Sequence, residues 1–138
     1  MRPASYRRAS LAVVLSGVLL AAGCSEAREA PAGPAVEDFA AGSCRQAAPD
    51  VLELSRLVEA LGKGPRVPDD VKAALRAAQG RVAATAAQSS GPERADLDAF
   101  VQKVGLLRLR ADGNTYEPFL ADDVRAARDR VIDSCTAP

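Results

Sequence analysis

From residue 44 onward, apolar side chains recur in steps of three and four, and the stretches between them hold proline, glycine and small polar residues. Pro49-Asp50 opens the first period, since proline suits a first helical turn and an acid suits the positive end of the helix dipole. Val51, Leu54, Val58 and Leu61 then form one face, with Leu57 alongside, until Gly62-Lys63-Gly64-Pro65 ends it. Pro68-Asp69-Asp70 repeats the opening, and Val71, Ala74, Leu75, Ala78 and Val82 make a second stripe. After Gln88-Ser89-Ser90-Gly91 a third period starts at Pro92-Glu93 and runs through Leu97, Phe100, Val101, Val104 and Leu107. It stops at Ala111-Asp112-Gly113-Asn114, with Arg108 and Arg110 where the dipole favours cations. Pro118 opens a fourth, carrying Leu120, Val124, Ala127 and Val131. No stretch alternates in the two-residue period of a strand, so the pattern predicts an all-α chain of four helices.

The beginning of the chain is patterned differently. Arg2, Arg7 and Arg8 precede an uncharged apolar run of twelve residues, Leu11 to Ala22, which ends Leu20-Ala21-Ala22-Gly23-Cys24. A basic head, a short apolar run and small residues at its end are the marks of an export signal. The run falls short of the about 20 apolar residues that a membrane-spanning helix needs. With Cys24 directly after Gly23, the segment resembles a bacterial lipoprotein signal, in which small residues precede a cysteine that becomes the acylated N-terminus. Ala21 stands where that family usually has leucine. Arg7-Arg8 followed by Ala9-Ser10-Leu11 also resembles the twin-arginine export motif, with Ser10 where that motif prefers a bulky apolar residue. The resemblance implies removal of residues 1–23, a palmitate-type lipid on Cys24, and a place on the extracytoplasmic side of the cell membrane. It covers the signal and leaves the remaining chain unassigned.

Export settles the cysteine arithmetic. With Cys24 acylated, Cys44 and Cys135 remain as a pair, and an oxidising compartment makes a disulfide its expected state. Cys135 lies four residues past Val131 on the same stripe, while Cys44 lies just before the first predicted helix. In an up-down-up-down bundle the fourth helix ends where the first begins. The expected fold is therefore a four-helix bundle over residues 44–138 with a terminal disulfide, preceded by a lipidated cysteine and flexible tether over residues 24–43. Residues 25–42 have no sustained apolar period and contain Pro31 and Pro34, although Phe39 could dock onto the domain.

Composition narrows the chemistry. The chain has 18 basic and 18 acidic side chains; losing Arg2, Arg7 and Arg8 leaves 15 against 18, a net charge of −3. Interspersed charges of that balance give no reason to expect a nucleic-acid partner, which demands clustered positive charge. With Phe39, Phe100, Tyr116 and Phe119 as the aromatics after the signal and no tryptophan, Leu, Val and Ala must fill the core. Histidine is absent, which removes the commonest general base near neutral pH and histidine ligation of metals. Asp112-Gly113-Asn114 reads as a helix stop rather than a calcium loop, because Glu117 falls where that loop requires glycine. Asp69-Asp70 and Asp122-Asp123 are neighbours on their helices and point about 100° apart, so they read as dipole partners rather than a metal or acid–base site. No catalytic residue, metal site or cofactor is expected.

Two surface features remain. Leu52, Leu106 and Leu109 lie off the best-fitting stripes and are candidates for an interaction surface, or they widen the core face. Arg108 and Arg128 each border a stripe and could meet an anion between helices three and four, or lay their stems over the core edge. The sequence thus points to a lipid-anchored, non-enzymatic helical module of the cell envelope that contacts the bilayer through Cys24 and another envelope protein through its surface. A small-ligand carrier, or a histidine-free carboxylate enzyme with a cavity between helices, is the alternative.

Overall fold

The structure, a computed structural model, describes residues 33–136. Four helices follow one another: α1 (Ser43–Glu59), α2 (Asp69–Gln88), α3 (Glu93–Asp112) and α4 (Phe119–Thr136). Among the described residues there is no strand. Each helix packs against the next, and α4 returns to α1 along the thinnest seam, which closes an up-down-up-down bundle. The stripes point inward as their period requires. Val51, Leu54 and Val58 of α1, Leu75, Ala78 and Val82 of α2, Leu97, Phe100, Val104 and Leu107 of α3, and Leu120, Val124, Ala127 and Val131 of α4 are buried. Burying each of the larger of these contributes about 1.5–3 kcal/mol.

Every seam also carries an ion pair. Arg81 reaches Asp50 at 2.7 Å between α2 and α1, and Arg76 reaches Asp112 at 3.2 Å between α2 and α3. Lys103 meets Asp123 at 2.9 Å between α3 and α4. Arg125 and Arg128 of α4 converge on Glu59 of α1 at 3.0 and 3.2 Å. Such exposed pairs contribute about 0–1 kcal/mol each. They matter more as markers of register than as sources of stability.

The predicted starts at Pro68, Pro92 and Pro118 coincide with the observed ones to within a residue, and the start of α1 does not. Pro49 lies inside α1, and the helix begins at Ser43, so that Cys44 sits in its first turn rather than before it. Proline in a helix interior removes one hydrogen bond and crowds the preceding turn, at about 3 kcal/mol. Tertiary contacts hold the extra turn despite this. Cys44, Ala47 and Ala48 are buried, and Cys44 is bonded to Cys135 with their Cα atoms 5.3 Å apart. Pro49 itself is exposed. Pro49→Ala is therefore expected to raise stability by about 1–2 kcal/mol, part of the full penalty, seen as a higher midpoint of urea unfolding. An unchanged or lower midpoint would mean that the surrounding turn depends on the ring.

Residues 33–43, expected as part of the tether, are instead folded onto the bundle, while residues 24–32 lie outside the described residues. The compact unit begins at Gly33, eleven residues before Cys44. Val36–Asp38 form one 3-10 turn, and Phe39 inserts into the core with 1% of its surface exposed. The Ala40 amide then donates to the Cys135 carbonyl at 2.8 Å. Arg45 folds back so that its guanidinium donates to the Phe39 carbonyl at 2.9 and 3.1 Å and to the Glu37 carbonyl at 3.3 Å. Gly42 makes the turn into α1 with φ of +90°, a region that residues with a Cβ rarely adopt.

Candidate functional site

α3 and α4 carry the large apolar side chains that stand in solvent. Leu106 is 40% exposed, Leu109 66% and Phe119 56%. Leu106 and Leu109 are three residues apart and share a face of α3 turned away from its buried stripe. Phe119 opens α4, and the helices run antiparallel. With Lys103 opposite Asp123, the register brings Phe119 level with the turn of α3 that holds Leu106. The apolar period of α4 does not single out Phe119. Its place directly after Pro118, outside the apolar stripe that begins at Leu120, was the available signal.

Leu52 does not belong to this set. It is half-buried, packs against the core, and lies on α1, which is diagonal to α3. There it lines a surface cleft of about 270 Å³ along the α1–α4 seam, with Pro34, Ser55, Arg128, Asp129 and Ile132. Its single-helix wheel position left its neighbours undefined. The segment from Gly33 to Phe39, placed beside α1, supplies part of its surroundings.

Arg108 and Arg128 are not brought together between α3 and α4. Arg128 points to α1, where it pairs with Glu59 at 3.2 Å and with its neighbour Asp129 at 2.9 Å. Arg108 is half-buried on α3 and makes no ion pair among the described residues; its Nε is shielded from solvent without a hydrogen-bond partner. Its stem covers the edge of the core.

The acidic and basic groups otherwise form small surface networks. Glu59 receives Arg125 and Arg128, and the hydrogen bond from Arg125 is the main reason that its carboxyl titrates below its usual value of 4.5, with the Arg128 bond and both positive charges adding to this. A carboxyl whose folded-state value is depressed adds stability above its unfolded value and loses it as pH falls through the folded one. Comparison of the protein with Glu59→Gln should therefore show a stability difference at pH 7 that shrinks as the pH falls below about 4.5. Thermal unfolding measured from pH 7 to pH 3 checks this, and a constant difference across that range would remove Glu59 from the α1–α4 seam. At the α2–α3 turn the Ser89 hydroxyl donates to Glu93, which lowers the Glu93 carboxyl as well.

A polar cleft of about 460 Å³ opens at the start of α2, lined by Arg66, Val67, Pro68, Asp69, Lys72 and Asn114. Lys72 already donates to Asp69 at 3.2 Å and to Asn114 at 3.5 Å. Among the described residues no three carboxylates or cysteines come together as a metal site, and no helix is long and apolar enough to cross a membrane. Cys24 lies outside the described residues. Compared with protein-family models, with curated proteins and with solved structures, the chain matches none.

Proposed function

We propose that this chain is a membrane-anchored, extracytoplasmic helical module that acts by binding another protein rather than by catalysis. The anchor in this reading is a lipid on Cys24, supported by the apolar run that ends at that cysteine. The contact face is the outward side of α3 and α4. The observation that carries this half is the grouping of Leu106, Leu109 and Phe119, the exposed large apolar side chains among the described residues, on two adjacent helices. Apolar side chains gathered on one face of a soluble domain mark interaction sites more often than single scattered ones do. The alternative of a small-ligand carrier draws less support, because the clefts are open depressions on the surface and the inward stripes are filled.

Cys24→Ser tests the anchor. The variant is expected to leave the membrane fraction for the soluble extracytoplasmic fraction and to lose incorporation of labelled palmitate. A variant that remains equally membrane-bound and equally acylated would overturn the assignment.

A further inference from the structure

We infer that the outward face of α3 and α4 is occupied by a second copy of this chain, related by a two-fold axis that runs along the bundle. The inference rests on the membrane-anchored reading above for the orientation of the two copies. It starts from the charges beside the apolar group. The acids nearest to it on α4 are engaged, Asp122 with Arg125 at 2.6 Å and Asp123 with Lys103 at 2.9 Å. Arg110 on α3 and Glu117 before α4 have no ion-pair partner among the described residues. Because Lys103 faces Asp123 across an antiparallel hairpin, Arg110 and Glu117 lie at nearly the same height on the bundle. Lower on the same pair of helices, Asp96 of α3 and Arg130 of α4 are again level, of opposite sign and unpaired among the described residues.

This arrangement is complementary to itself. A two-fold axis parallel to the helices keeps every height and sets α3 of one copy against α4 of the other. Arg110 then faces the second copy's Glu117, Asp96 faces its Arg130, and both contacts occur twice. Phe119 of each copy falls against the turn holding Leu106 of the other, with Leu109 at the margin of the contact on the α2 side. An axis lying in the interface but perpendicular to the helices would invert the heights and break these matches.

The point where the chain enters the bundle agrees with the same axis. Ala40 is tied to Cys135 at the disulfide end, and the segment before it runs back along α1, so that Gly33 lies beside Leu52 and Ser55 about midway along that helix. Eight residues separate Cys24 from Gly33, a span of roughly 30 Å at full stretch. Under a parallel axis, both copies keep their entry points on one side, where both lipids reach one membrane. The apolar group is also small beside a stable soluble interface, which takes about 20–30 residues on each side. Confinement to a membrane supplies the missing association by raising the effective concentration.

The test uses acylated full-length protein, purified from membranes, with donor and acceptor dyes on separate copies, co-reconstituted at high lipid dilution in phosphatidylcholine vesicles. Energy transfer is expected to exceed that of randomly placed labels. It should fall to the random level in Arg110→Glu and in Glu117→Arg, where like charges oppose, and return in the double swap. All four proteins should have the same helical circular dichroism. Transfer at the random level in the unaltered protein overturns the proposal, as does transfer that survives the single swaps or fails to return in the double one. Protein that does not float with the vesicles refutes the anchor instead. The same pattern of loss and return is then required in sedimentation equilibrium of concentrated protein, and its absence there overturns the self-association.

Discussion

Replacing Cys44 and Cys135 together by serine is expected to lower the stability of the bundle by about 4–5 kcal/mol, the chain-entropy figure for a closed loop of this size. The bond joins residues 91 apart and so restricts nearly the whole unfolded domain. Domains of this kind have a total stability of about 5–15 kcal/mol, so the loss takes a large share of it. Urea unfolding should show a much lower midpoint together with a steeper dependence on denaturant, because the uncrosslinked unfolded chain exposes more surface. The same change should follow when the native protein is reduced under conditions that open the bond. A loss below about 1 kcal/mol would show that other contacts at this end, chiefly Phe39 and the Ala40–Cys135 hydrogen bond, hold the termini together without the bond.

Phe39→Ala is expected to cost about 3–5 kcal/mol, as for other fully buried phenylalanines cut to alanine. The ring is 1% exposed and belongs to the main core, although it stands outside all four helices. Phe39→Leu should retain most of the stability because it keeps an apolar side chain of similar bulk. A protein beginning at Ser43 should be weakened at least as much as Phe39→Ala, since it lacks both the ring and the carbonyl groups that bind Arg45. Thermal unfolding of the three proteins with the disulfide intact decides this. Equal stability of the shortened protein and the whole one would mean that Phe39 rests on a core already complete.

The three helix starts that the sequence revealed share one device, a proline followed closely by an acid or an apolar stripe with nothing helical before it. α1 contains the same pair, Pro49-Asp50, and there the device misleads. The preceding turn has weak local signals, and what holds it helical is the burial of Ala47 and Ala48 and the bond from Cys44, all contacts with distant parts of the chain. The fate of Phe39 was hidden for a related reason, since a single aromatic among Ala, Gly and Pro has no period to reveal where it goes. The arginines illustrate a further limit. Periodicity identifies the inward stripe of a helix, but four helices in order can turn either way around a bundle. A side chain bordering a stripe leans toward the previous helix or the next one according to that hand. Arg128 borders the α4 stripe and leans to α1; Arg108 borders the α3 stripe and covers the core edge alone. For Leu106 and Leu109 the pattern left open an exposed face or a widened core; they lie far from their stripe, and the structure leaves them in solvent.

The position of the disulfide also decides how the domain carries force. Tension applied between Gly33 and the C-terminus can peel away the segment up to Ser43, after which it arrives at Cys44. From there it crosses the Cys44–Cys135 bond and leaves through the last three residues. The four helices between the two cysteines form a loop outside that load path. A pull on the ends is thus borne by a covalent shunt, and the bundle stays slack while the chain on either side is taut.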